Sequence, residues 1–189
     1  MQTLKEGYYT STQLRNMGFN GTQIKRMLHD GVLSKIKPGL YRITSMNYSH
    51  QSFIDVCVAA PKCVITGLSA LRYYNLTTFI PQNVYIAVKR GGTMPRIIYP
   101  PVEIMTVTEP FFNLSIEMIK EGKYSFRIYS IEKAVCDAFR HKNKTGLDTA
   151  KEVLKEYIRR KDRNLNKLLQ TADKCKVRKI VESWLTALI

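Results

Sequence analysis

"TSTQLRNMGFNGTQIKRML", residues 10–28, contains the same short phrase twice. Thr10 stands three residues before Gln13, and Asn20 stands three before Gln23. Each pair has the form of a capping box: a side-chain oxygen at the N-cap accepts from the backbone N–H three residues on, and the glutamine there reaches back to the N-cap N–H. Two helix starts ten residues apart leave room for a two-turn helix, a tight turn at Gly18 and a second helix. The next stretch, "DGVLSKIKPGLYRI", begins with Gly31, a natural residue just past a helix end. Residues 32–36 and 40–43 then read as short strands, with Pro38 and Gly39 suited to the centre of a type II turn. Helix, turn, helix, two-stranded wing is the order of a winged helix-turn-helix, whose first helix braces the second in the DNA major groove.

The second helix divides into two faces at helical spacing. Ile24, Met27 and Leu28 fall on one side and are expected to pack against Leu14, Met17 and Phe19. Thr22, Arg26 and His29 point the other way, flanked by Gln23 and Lys25. Arg and Gln can read guanine and adenine edges, and Thr22 lies near the helix start that enters the groove. In the wing, Lys35, Lys37 and Arg42 are candidates for backbone phosphates. These eight residues form the expected DNA-binding set; the plainer alternative is a solvated helix face followed by a polar hairpin.

The whole chain agrees with an anionic partner. Its 189 residues include 30 Lys and Arg against 15 Asp and Glu, a formal net charge of +15. Such a balance favours nucleic acid first and an anionic membrane surface second. Charge density is highest at the two ends: residues 1–46 carry seven basic and two acidic side chains, and residues 147–189 carry eleven and six. Hydrophobic residues make up 44%, enough for a real core. No run approaches eighteen apolar residues, and "MQTLKEGYYT" has no apolar segment of the signal-peptide kind. Cys57, Cys63, Cys136 and Cys175 match no zinc spacing, and only three histidines are present. Reduced cysteines in a cytoplasmic protein, with no metal and no cofactor, are therefore expected.

The expected fold class is α+β: an N-terminal winged helix-turn-helix over 1–46, followed over 47–189 by a mixed α/β domain ending in a helical segment. In the second part a helix over 50–59 stops before Pro61. "CVITGLSALRYYNL" reads as a short strand and then a helix from Thr66 or Gly67. "NVYIAVK" and "VEIMTV" alternate like strands across a Gly/Pro-rich loop, and residues 114–130 form a hairpin turning at 121–123. These place a mixed sheet over 63–128. Helices follow over 130–189, as segments 131–143, 147–160, 165–172 and 176–189, with Ala150, Val153, Leu154, Tyr157 and Ile158 inward.

Enzymatic constellations are weak. Glu121-x-Lys123, with Glu103 and Glu109 upstream, has the spacing of metal-dependent nucleases, but Gly122 puts it in a turn rather than on a rigid strand. Ser69, His50 and Asp55 lack a nucleophile-elbow context, and Gly67 and Gly91-Gly92 form no phosphate-loop signature. No catalytic activity is expected. Lys151, Lys155 and Arg159 recur every four residues, continued by Arg160, Lys161 and Arg163. Such a run is usually a solvated face. The sharper reading is a second anion-facing surface on Lys151, Lys155, Arg159 and Arg160.

Three stretches together resemble a known family. Gly31, Leu33, Lys35, Ile36, Gly39 and Tyr41 follow the wing pattern of the AbiEi antitoxins. "PKCVITGLSALRYYNL" followed by "IPQNVYIAV" looks like that family's C-terminal domain with its Ser-Ala-Leu helix, here Ser69-Ala70-Leu71. "YSIEKAVCDAF" is similar to its later helix, whose pattern ends here at Asp137. The resemblance implies an antitoxin of a type IV toxin–antitoxin system, encoded beside a nucleotidyltransferase-like toxin. It implies an N-terminal domain that represses its own promoter at inverted repeats in double-stranded DNA. It also implies a C-terminal domain that counters the toxin without a stable complex. The alternatives are a stand-alone winged-helix transcriptional regulator, or a protein or RNA interaction module without antitoxin activity.

Overall fold

The structure is a computed structural model that describes residues 4–188, with the side chains of 144 and 145 outside that description. Both capping boxes form. Gln13 N–H donates to Thr10 Oγ1 at 3.2 Å, and Thr10 N–H to Gln13 Oε1 at 2.8 Å. Gln23 N–H donates to Asn20 Oδ1 at 2.9 Å, and Asn20 N–H to Gln23 Oε1 at 2.8 Å. They start α1 (Ser11–Asn16) and α2 (Gly21–His29). Both helices close in Schellman geometry. Gly18 and Phe19 N–H reach Arg15 and Leu14 O, and Gly31 and Val32 N–H reach Leu28 and Met27 O.

The wing is β2 (Leu33–Lys37) paired antiparallel with β3 (Leu40–Ile43). A third strand, β1 (Tyr8–Thr10), pairs with the other edge of β3, Tyr8 opposite Arg42, giving the order β1-β3-β2. Three residues before a cap carry too little alternation to announce this strand. Leu14, Ile24, Leu33 and Ile43 form the buried core of the module, with Phe19, Met27 and Leu28 half-buried against it. Each fully buried Leu or Ile contributes about 1.5–3 kcal/mol. Met17, expected among them, is the half-buried C-cap residue of α1 and stands outside this cluster.

The second part is built on a five-stranded sheet, so the fold is α+β. Its strands are β4 (Val64–Ile65), β5 (Val84–Lys89), β6 (Val102–Val107), β7 (Ile116–Glu121) and β8 (Tyr124–Tyr129), in the order β6-β5-β4-β8-β7. The two-residue β4 lies at the centre, antiparallel to β5 and parallel to β8. Ile65 therefore sits beside Ile86 and Ile128 on one face, while Val64, Ala87 and Tyr129 cluster on the other under Phe112. Tyr129 O–H donates to Phe112 O at 2.9 Å, which satisfies a fully buried hydroxyl.

Helices cover this sheet. α3 (Gln51–Ala59) packs on β8 and also touches β2 of the wing; α4 (Gly67–Tyr73) follows β4. α5 (Ile131–Arg140) contacts α4, α7 (Leu147–Arg159), α8 (Leu165–Lys174) and α9 (Arg178–Leu188). The single helix expected over 131–143 is interrupted at His141, after which α6 (Lys142–Thr145) forms a separate turn. Ala150, Val153, Leu154 and Tyr157 are buried and Ile158 half-buried. All four cysteines are free and buried. Among the described residues no helix is long and apolar enough to cross a membrane.

A polar seam joins the two parts. Asp55 of α3 is 1% exposed, and its Oδ1 accepts from Tyr8 O–H at 2.5 Å and from Gln51 Nε2 at 2.9 Å. Arg42 Nε lies 3.5 Å from the same oxygen. Burial raises the Asp55 carboxyl above its ordinary range, although Tyr8, Arg42 and Gln51 all favour its charged form. The Tyr124 ring meets the rings of Tyr8 and Tyr48 edge-on, at 5.2 and 5.8 Å between centroids. Lys123 Nζ donates to Glu6 O at 2.7 Å.

Candidate nucleic-acid interface

At 1.5 Å per residue, the nine residues of α2 make a rod about 14 Å long, comparable to the roughly 12 Å width of the DNA major groove. Thr22, Gln23, Lys25, Arg26 and His29 are all exposed on it, while Ile24 faces the core. The arrangement follows from two constraints acting together. The capping boxes set where each helix starts, and Ile24 against Leu14 sets which way α2 is rotated.

The polar groups on α2 differ in what they have to offer. The Arg26 side chain is 83% exposed and its Nε lies 3.5 Å from Asp30 Oδ2; His29 is 90% exposed with Nδ1 3.2 Å from Asp30 Oδ1. Such exposed pairs contribute about 0–1 kcal/mol, so a phosphate or base edge displaces Asp30 at little cost. Lys25 makes no ion pair among the described residues. Gln23 is different: its Oε1 is committed to the Asn20 N–H. A bidentate contact to adenine needs both its oxygen and its nitrogen, so that contact competes with the cap for the direction of the side chain.

The expected wing contacts separate into three cases. Lys35 is exposed on β2 and makes no ion pair among the described residues. Lys37 is half-buried and donates from Nζ to Ala59 O at 2.6 Å, tying the wing to the end of α3 rather than pointing to solvent. Arg42 is 7% exposed, with Nε facing Asp55 and a guanidinium nitrogen 3.5 Å from Met46 O. Arg42 is therefore corrected from a phosphate contact to a seam residue. Its place on the central strand β3, with β1 on one side, turns it toward α3.

The basic run on α7 is partly paired. Lys151 pairs with Asp148 at 3.0 Å and lies 4.4 Å from the Trp184 ring centroid. Arg159 pairs with Glu156 at 2.6 Å. Arg160 makes a two-pronged contact with Asp162 at 2.8 Å and donates to Tyr74 O at 2.8 Å, pinning this turn to the end of α4. Only Lys155 of the four expected residues is exposed and without such a partner among the described residues. Arg160 is held by a backbone contact as well as an ion pair, whereas Lys151 and Arg159 carry surface ion pairs worth about 0–1 kcal/mol and stay open, with Lys155, to an anion.

The groups weighed for catalysis are scattered. Glu121 accepts from His50 N–H at 3.1 Å and lies 3.0 Å from His50 Nδ1, while Lys123 holds Glu6 O. Ser69 Oγ accepts from Tyr85 N–H at 2.9 Å and Asp55 belongs to the seam. Ser69, His50 and Asp55 thus have separate partners and form no triad. Among the described residues no group of three His, Cys, Asp or Glu is placed to hold a metal ion.

The Tyr8–Gln51–Asp55–Arg42 network is the feature that sequence reasoning missed. Its trace in the sequence is Asp55, a lone acid inside the apolar run "FIDVCVA". No protein-family model and no curated protein matches the chain.

Proposed function

We propose that the protein is a sequence-reading DNA-binding regulator, acting in the cytoplasm without catalysis of its own. We further propose that it is an AbiEi-like antitoxin, repressing its own promoter through inverted repeats and countering a neighbouring nucleotidyltransferase-like toxin through residues 47–189 without a stable complex. One observation carries the DNA reading. α2 is fixed by a cap and a buried Ile24, and it presents Thr22, Lys25, Arg26 and His29 together on its exposed face. The net charge of +15 supports it, and the antitoxin role rests on the Ser69-Ala70-Leu71 and Asp137 resemblance.

Fluorescence anisotropy against the protein's own upstream DNA and a scrambled duplex, at two salt concentrations, tests the first part. Arg26→Ala is expected to cost about 1–3 kcal/mol on the specific site and far less on the scrambled one. Equal losses on both duplexes would remove Arg26 from base reading. Binding that is weak, equal on both and abolished by salt would reduce the interaction to charge alone. Rescue of growth by co-expression with the toxin encoded next to it tests the antitoxin role, and absence of rescue would leave a stand-alone regulator.

A further inference from the structure

Lys133 and Asp137 stand one turn apart on α5, with Lys133 Nζ 2.5 Å from both carboxylate oxygens. Their side chains are 1% and 8% exposed, and Nζ lies 4.5 Å from the Tyr129 ring centroid. A buried pair of this kind is weak evidence for stability, because desolvation offsets much of the attraction. The pair also has a second property. Both residues line a recess of about 130 Å³ between α5, the end of β6 and the start of α4.

Thr66, Arg90 and Arg140 share the wall of that recess. Thr66 is 3% exposed; its N–H donates to Tyr85 O and its carbonyl accepts from Ala70 N–H. Its hydroxyl makes no hydrogen bond among the described residues and does not cap α4. Thr66 lines the recess, and its hydroxyl is a donor that a group bound there can reach. The Arg140 guanidinium lies 3.5 Å from the Phe111 ring centroid and gives one N–H to Cys175 O at 3.3 Å, leaving further donors. Arg90 is exposed and makes no ion pair among the described residues.

Lys133, Arg90 and Arg140 against Asp137 leave two positive charges on the wall. A polar recess of about 130 Å³ with this cationic wall has room for a tetrahedral oxyanion. We propose that this recess binds a phosphate group. The three cations oppose its charge, the Thr66 hydroxyl bonds one of its oxygens, and Asp137 positions Lys133. Arg140 also borders a larger open groove of about 690 Å³ that includes Lys142, Lys176 and Lys179. The phosphate is either free inorganic phosphate or the terminal group of a phosphomonoester. The site is independent of the DNA reading and survives its failure.

Isothermal titration calorimetry of the full chain with inorganic phosphate, and separately with adenosine 5′-monophosphate, at fixed ionic strength set by chloride, tests this. Saturable binding is expected, weakened about tenfold or more by Thr66→Val and by Arg90→Gln, each of which removes one charge-assisted hydrogen bond. Arg90 is exposed, so its variant keeps the fold even where the buried Thr66→Val does not. Tighter binding of the nucleotide identifies a phosphomonoester; equal or tighter binding of inorganic phosphate identifies the free ion; both support the site. No saturable heat with either compound, or unchanged affinity in Arg90→Gln, overturns it.

Discussion

Replacing Gly122 by alanine tests the seam between the two parts of the chain. Gly122 turns the β7–β8 hairpin at φ +60°, and a Cβ built there would lie 2.5 Å from Tyr48 Cε1 and 2.9 Å from its hydroxyl oxygen. Two costs follow. An L-residue in the left-handed region loses about 1–2 kcal/mol. The Tyr48 ring must also move, giving up its edge-on contact with Tyr124, which is 5.8 Å away between centroids; such a pair contributes about 0.5–1.5 kcal/mol. Gly122→Ala should therefore destabilise by about 1.5–3.5 kcal/mol. Gly18→Ala and Gly31→Ala supply the reference, because both have positive φ with nothing within 4 Å of the new Cβ. They should show the first cost alone. Urea unfolding followed by circular dichroism measures all three. In the double variant with Tyr48→Ala the second cost disappears, so the cycle should give a coupling of about 0.5–1.5 kcal/mol. A Gly122→Ala loss no larger than the two references, or a coupling indistinguishable from zero, would refute the claim that the Tyr48 ring is packed on the β7–β8 turn.

Three further outcomes are expected. Thr10→Ala and Asn20→Ala should each cost about 1 kcal/mol by the same unfolding assay, since each removes an N-cap acceptor; a cost near zero would mean that tertiary packing alone holds α1 and α2. Burial pushes the Tyr157 hydroxyl up to about 12, so the native state keeps its proton where the unfolded chain has released it. Stability should then fall as pH rises from 10 toward 12, and Tyr157→Phe should flatten that fall by about 1.4 kcal/mol per pH unit; an unchanged slope would contradict the assignment. In DNA titrations Lys35→Ala should reduce the salt slope by about one unit while Arg42→Gln leaves it unchanged. A reduced slope in Arg42→Gln would restore that residue to the phosphate-binding set.

Local hydrogen bonding explains what was legible in the sequence. Thr10 with Gln13 and Asn20 with Gln23 marked both helix starts, because a capping box closes within three residues. The β7–β8 hairpin, the start of α4 and the inward stripe of α7 were legible for the same reason: spacing and turn chemistry act over a few residues. The exposed set on α2 followed from periodicity alone. Charge was where local reasoning stopped, since a lysine or arginine reads the same whether solvated or paired. Arg42 became a seam residue through Asp55, thirteen positions on, and Lys37 was drawn to Ala59 O across the wing. The α7 cations found Asp148, Glu156 and Asp162 nearby, yet it was Tyr74 O, far back in the chain, that gave Arg160 its structural role. Strand order was likewise a tertiary decision: the two residues of β4 hold the centre of the sheet only because β5 and β8 arrive on either side. The recess at Lys133 and Asp137 belongs to that second category, for Thr66, Arg90 and Arg140 meet there only once α5 has packed against the sheet and α4. Sequence determined most of the elements and the exposed face of α2; the tertiary structure decided which charges remain free to act, because pairing and burial depend on distances between segments that no local spacing sets.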